Sequence, residues 1–408
     1  MEDRSRRMVT RSKKLKVQKD SPAAISKPLI IRANKMAKSA RPEKKEVKNG
    51  ASLNTNGFPM LPDELLLEIM SFYPPKSDLL SMEPNDYRAL AQDASEYAVK
   101  RDTLIALAQT CRNLRRFCRP YIWSRIEVCH GIRVGEAVLG VWTKGSTTAS
   151  IDRMFNAELV RQLEIVTVRD PSLAKYIKLL NVDLRDYSTP TVLAELARCI
   201  ALFPNLRLVK LNVSSSKRKT DKLDTAVGKA FSSYLYPQVD QAFVSKSAIA
   251  FLRCCPSLRL ANLMDYGIRR SSDYGLAMRL KGSCPRLENL MMGIGEVDCK
   301  ETLQAFPNLR EVTLVLHAFH HGLFMNKIAM FSTLKHLKYI KLTAITSLQE
   351  ADRRTILDMA IQILLKLQKE DKEEKEASLT YTAQDSPRYL AYWNQKTETI
   401  CLPVPKPR

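Results

Sequence analysis

Apolar residues along this chain follow two different periods, one helical and one strand-like. Between residues 61 and 75 the sequence reads LPDELLLEIMSFYPP, and Leu61, Leu65 and Ile69 recur every fourth position. That spacing predicts a helix with one apolar stripe, while Leu66, Met70 and Phe72 carry apolar surface to other faces. Pro62 suits the first helical position, where its missing N–H costs nothing. Asp63 and Glu64 fall in the first turn, at the positive end of the helix dipole, and Pro74–Pro75 ends the element. A polar, charged stretch covers residues 76–101. A second helical period, DTLIALAQTCRNLRRF, is then predicted to start from Asp102 as N-cap, with Leu104, Leu107, Ala108, Cys111 and Leu114 as its stripe. Pro120 opens a short segment with Tyr121, Ile122 and Trp123, which leads into a strand-like Arg125–Val128.

Beyond residue 129 the period changes to two, in a phrase that recurs. LRLVKLNV (from Leu206) and LREVTLVL (from Leu309) both follow FPN, LRLANL (from Leu258) follows CPS, LENLMMGI (from Leu287) follows CPR, and LKYIKLTA (from Leu337) follows LKH. Weaker copies are IKLLNVDL from Ile177 and VDQAFV from Val239. Successive copies are 29, 33, 19, 29, 22 and 28 residues apart. These intervals bracket the 20–29 residues of a leucine-rich repeat, whose signature is L-x-x-L-x-L. Each phrase is predicted to be a strand with its leucines inward. Helical runs precede several of them, namely AELARCIALF, SAIAFLRCC and GLAMRLKGSC. The expectation is an α/β chain: an irregular solenoid over 129–349, closed by a capping helix over about 350–376 within a C-terminal segment 350–408. A doubly wound α/β sheet is the competing architecture. In the segment after the helix, Tyr389, Tyr392 and Trp393 are expected to fold back on the cap.

If the leucines point inward, the residues between them form one outward face. Leu208, Phe243, Leu260, Met264, Met291, Val315, Tyr339 and Lys341 are its candidates for binding a protein substrate, because apolar side chains aligned on a surface suggest a protein partner.

Charge adds a third region. The chain carries +22, and residues 1–50 hold 16 Lys or Arg against 5 Asp or Glu, a net of +11. That segment lacks hydrophobic periodicity and is expected to be a disordered basic tail. Its clusters Arg6–Arg7 and Lys13–Lys16 could serve nuclear import. No aromatic residues interleave its basic ones, so base stacking on nucleic acid is disfavoured. The first twenty residues lack the apolar core of a secretory signal, and no apolar run reaches membrane length. An intracellular protein of the cytoplasm or nucleus is expected. Nine cysteines without a CxxC pair suit reduced thiols in that setting. His317, His320 and His321 cluster without Cys or carboxylate at ligand spacing, so no metal is expected. No phosphate-binding loop, dinucleotide fingerprint or nucleophile elbow occurs, and neither a cofactor nor catalytic residues are expected.

Leu61–Leu65 with Ile69, then Leu104, Leu107, Thr110–Arg112 and Trp123, resemble an F-box of the fungal type, in which an insertion separates the first two helices. The resemblance covers residues 58–128, with the insertion at 76–101. It implies a three-helix module that docks on the Skp adaptor and, through it, on the cullin scaffold of an SCF ubiquitin ligase. The adaptor-binding residues would be Leu61, Pro62, Leu65, Ile69, Leu107, Cys111 and Trp123. The repeat domain would then capture a protein substrate, and catalysis would belong to partner subunits. A nuclear scaffold or nucleic-acid-associated protein that uses its basic tail is the alternative.

Overall fold

A computed structural model of the chain describes residues 61–72, 87–134, 137–140, 147–185, 189–214, 220–263, 280, 282–293, 303–316, 321–344, 350–370, 377–384 and 397–403. The basic segment 1–50 lies outside the described residues, as do Met264, His317, His320, Tyr389, Tyr392 and Trp393.

Three helices come first: α1 (Asp63–Ser71), α2 (Tyr87–Thr110) and α3 (Arg112–Ile122). α1 starts at Asp63, one residue later than its sequence predicts, with Pro62 as its N-cap and Asp63 and Glu64 in the first turn. α2 corrects the sequence reading, since it runs unbroken through Asp102 and back to Tyr87. The part of the expected insertion from 87 to 101 is therefore helix. Its ASEYAVK stretch contains no Gly or Pro to stop one. Pro120 does not open a segment either: it lies inside α3. The break falls at Cys111, which is extended and whose thiol accepts from the Leu114 amide at 3.5 Å as the N-cap of α3. Leu66, Met70, Leu104, Ala108, Leu114, Phe117, Cys118 and Ile122 form the core of this helical module.

The remainder is α/β. Strands β1 (Arg125–Val128), β4 (Leu179–Leu184), β5 (Leu208–Val213), β6 (Gln241–Val244), β7 (Leu260–Leu263), β8 (Asn289–Gly293), β9 (Glu311–Leu316), β10 (Tyr339–Ala344), β11 (Ser378–Gln384) and β12 (Thr397–Pro403) form one ten-stranded sheet. A small hairpin of β2 (Arg133–Val134) and β3 (Ala137–Val138) stands apart. In the large sheet each strand pairs with the next in the order given, in parallel up to β11, and β12 closes it antiparallel. A doubly wound sheet would reverse its strand order at a switch point; this order never reverses.

From β4 to β10 each strand begins two residues after the start of a repeated phrase. The leading residues Ile177, Leu206, Val239, Leu258, Leu287, Leu309 and Leu337 sit in the turn before the strand, and all are buried. The register then stacks Leu180, Val209, Ala242, Ala261, Leu290, Val312, Ile340 and Leu379 in one row, and all are in the core. Alternate residues on a strand face opposite sides, so the outward face holds Leu179, Leu208, Gln241, Leu260, Asn289, Glu311 and Tyr339 in register.

Helices α4 (Thr148–Glu164), α5 (Thr189–Ala201), α6 (Thr220–Phe231), the one-turn α7 (Ile249–Leu252), α8 (His321–Met330) and α9 (Glu350–Glu370) send their apolar stripes into the same core cluster as the inward strand residues. The run GLAMRLKGSC falls largely outside the described residues. The long C-terminal helix occupies Glu350–Glu370, and its expected last turn lies outside the described residues. It is not the final regular element, because β11 and β12 follow it and extend the sheet. SLTYTAQ alternates apolar and polar residues and suits a strand that is covered on one face.

Candidate functional site

Three surfaces carry the candidate residues. The first is the outer side of the helical module. On α1, Leu66 and Met70 are spaced i, i+4 and are buried in the module core. Leu65, Leu67 and Ile69, with Phe72 at the C-cap, lie off that stripe, and Leu65 is 45%, Ile69 38% and Phe72 84% exposed. Pro62 is exposed, and Leu61, Leu107 and Cys111 are half-buried against the core. Trp123 lies where the module meets the sheet domain: it packs on both clusters, with the Arg101 guanidinium 5.6 Å above its ring. Two ion pairs brace the helices. Arg116 of α3 reaches Asp63 at the start of α1 at 3.0 Å, and Arg119 reaches Asp170 of the sheet domain at 2.5 Å.

The second surface is the outward face of the sheet, and its two halves differ. Over β4–β7 it is closed: Leu179, Leu208 and Phe243 bury one another in a small cluster, with Leu260 partly buried beside them. This corrects the expectation for Leu208 and Phe243. They point outward as expected, but strands about 4.8 Å apart bring a Phe ring and two Leu side chains into contact, and they become a second core. Asn181 and Asn262 are buried on this face too, donating to the sulfurs of Cys129 (3.3 Å) and Met291 (3.1 Å). Over β8–β10 the face is polar and more open. Asn289 donates to Glu311 at 3.1 Å, Glu311 pairs with Lys341 at 2.6 Å, and Tyr339 stands 38% exposed beside them. Val315 occupies a strand position in β9, but its side chain lies outside the described residues, as does that of His321.

The third surface, the rim where the strands begin, has no counterpart in the sequence expectations. The residue before each strand forms a ladder of Lys178, Arg207, Asp240, Arg259, Glu288, Arg310 and Lys338, joined by backbone hydrogen bonds from each to the next. Between β7 and β10 this rim forms a cleft of about 480 Å³, lined by Arg259, Pro285, Arg286, Glu288, Asn308, Arg310 and His336. The repeated phrase contained the signal, since a charged residue follows its first leucine in five of the seven copies and follows Ile177 and Val239 in the other two.

Burial raises the thiols of the sheet domain: Cys199 goes from the ordinary 9.0 to about 12 and Cys284 to about 11. Burial likewise pushes up Cys254 and, much further, Cys255. Such thiols are protonated and inert at neutral pH. Among the described residues no three His, Cys, Asp or Glu side chains are grouped to hold a metal, and no helix is long and apolar enough to cross a membrane.

Comparison with known proteins finds no family model that matches this chain and no curated protein that matches it.

Proposed function

We propose that the chain is a non-catalytic substrate receptor of an SCF-type ubiquitin ligase: an F-box over residues 58–128, a leucine-rich-repeat-like solenoid, and a C-terminal cap. The observation that carries this reading is the two-faced α1. Leu66 and Met70 supply the module with its core, so Leu65, Leu67, Ile69 and Phe72 are not needed for it and remain in water. Three exposed large apolar side chains on one short helix and a fourth at its C-cap suit docking in the hydrophobic groove of another protein. Leu65 and Ile69 are among the positions that the F-box resemblance assigns to the Skp adaptor, while Leu61, Leu107 and Cys111 are half-buried nearby in the same module. The strand order supports the solenoid half of the reading, because parallel strands taken one after another with a repeated lead-in are what stacked repeats require. Substrate capture then falls to the open part of the outward face, around Met291, Tyr339 and Lys341.

Co-expression of the full chain with the Skp adaptor tests the reading. A complex of the two that survives gel filtration in high salt is expected. If the chain elutes alone, the adaptor reading is wrong; salt-sensitive elution with nucleic acid would favour the scaffold alternative instead.

A further inference from the structure

Along the rim ladder each arginine is paired with an acid of the next strand until β9, and there the pattern fails. Arg207 is answered from the next strand by Asp240, which accepts from its Nη2 at 2.6 Å and its Nε at 3.1 Å. Arg259 is answered in the same way by Glu288, at 2.9 Å. In both cases the cation on one strand start meets an acid at the equivalent position of the next. Arg310 is the next arginine in the series. Its neighbour at the equivalent position is Lys338, whose amide donates to the Arg310 carbonyl at 2.8 Å. A second cation therefore stands where the pattern places a counterion, one strand spacing away.

The surroundings add to the excess. Arg286 and His336 open onto the same cleft as Arg310, and all three are exposed. Among the described residues none of the three takes part in an ion pair, a side-chain hydrogen bond or a ring contact. Glu288 is the cleft's one carboxylate, and it is committed to Arg259. Asn308 turns its amide away to the Pro285 carbonyl at 3.1 Å and so fixes the cleft wall. Two unpaired guanidinium groups and an imidazole thus converge on a space held open by paired neighbours.

We propose that this cleft binds a phosphomonoester, with Arg310 and Arg286 as its principal ligands. A dianion supplies two negative charges to match the two cations, Arg310 and Lys338, that end the ladder without an acid between or beyond them, and planar guanidinium forks match the oxygens of a tetrahedral phosphate in bidentate fashion. Glu288 holds Arg259 in place along the cleft edge. The site lies on the strand-start rim, apart from both the outward sheet face and the helical module, and it does not depend on the adaptor reading.

The experiment is calorimetric titration of the full chain with two probes, inorganic phosphate and a degenerate phosphoserine peptide pool, against the unphosphorylated pool. Arg310→Gln and Arg286→Gln are the test variants. Lys229→Gln, on the exposed side of α6, removes one charge elsewhere, and circular dichroism checks each fold. Saturable binding of either probe that weakens at least tenfold in both test variants, but not in Lys229→Gln, supports the site. Preference for the peptide pool then assigns the group to a phosphorylated protein segment, whereas equal or tighter binding of phosphate assigns it to a small phosphate compound. Absence of binding by both probes, or equal weakening in all three variants, overturns the proposal.

Discussion

The Leu206 amide donates to the Phe203 carbonyl at 3.3 Å, across the Pro204–Asn205 pair between them. The same three-residue link joins Leu309 to Phe306, Leu258 to Cys255, Leu287 to Cys284, Leu337 to Leu334 and Val239 to Tyr236. The recurring FPN, CPS and CPR lead-ins are thus one turn used repeatedly, with its first side chain buried and its last residue buried in front of the strand. The Asn of FPN ties the turn to the preceding repeat: Asn205 donates to the Lys175 carbonyl at 2.6 Å, as Asn308 does to Pro285. Phe203→Ala removes a fully buried ring and should destabilise by about 3–5 kcal/mol. Asn205→Ala loses one hydrogen bond and should cost about 1 kcal/mol. Chemical denaturation of the two variants should reproduce that order; equal losses would mean that the turn does not act as described.

Burial of the thiols makes stability depend on alkaline pH. The unfolded chain ionises its cysteines near 9.0, while Cys199 and Cys284 in the folded chain do so only near 12 and 11. Between those values the native state holds more protons, so its stability is complete below about pH 9 and falls as the pH rises further. The melting temperature should decline between pH 9 and 11. It should decline less in Cys199→Ser, provided that variant folds. Among the seven cysteines whose side chains are described, a thiol reagent at neutral pH should modify the half-buried Cys111 first and leave Cys199, Cys254, Cys255 and Cys284 untouched until unfolding.

Gly140 follows β3 with φ +80, and a Cβ there would run into the His130 ring. Gly140→Ala should destabilise by about 1–2 kcal/mol through the left-handed backbone alone, and by more through the clash. Adding His130→Ala should restore the second part only. Full recovery in the double variant would show that the backbone conformation is not a constraint.

The two halves of the outward sheet face should respond differently to charge. Tyr339→Glu stands in the open polar half and should leave the melting temperature within a few degrees of wild type. Phe243→Glu places a carboxylate inside the Leu179–Leu208 cluster and should lower it sharply. A thermal scan of both proteins decides the point, and comparable melting would mean that the cluster is open to water.

The positions of β4–β10 were legible because the leucine phrase has a period of two and its own lead-in, and each of these strands starts at a fixed offset from it; β11 and β12 carry no such phrase. The burial of Leu208 and Phe243 was not legible, since it depends on which side chains the register sets side by side. α4 left a readable trace, with Thr147 capping it through Ser150 and Ile151, Phe155, Leu159 and Leu163 at every fourth position. The strand phrase gives no hint of it, because α4 packs over β1 ahead of the first repeat. The true start of α2 was obscured by its charge: the Tyr87–Arg101 portion is polar, and propensity rather than an apolar stripe continues the helix there. The rim cleft required the stacking itself, because Arg286, Arg310 and His336 belong to three different connections.

The most direct test of the central claim is the affinity of the purified chain for the Skp adaptor, compared with that of the Leu65→Asp, Ile69→Asp double variant. Both side chains face water in the isolated chain, so the variant should keep its circular dichroism spectrum and melting temperature. Loss of a central apolar anchor costs about 2 kcal/mol or more, and every 1.4 kcal/mol is about tenfold in affinity. The account predicts tight binding by the wild type and a loss of at least about thirtyfold in the folded variant; equal affinity of the two proteins, or no binding by the wild type, would contradict it.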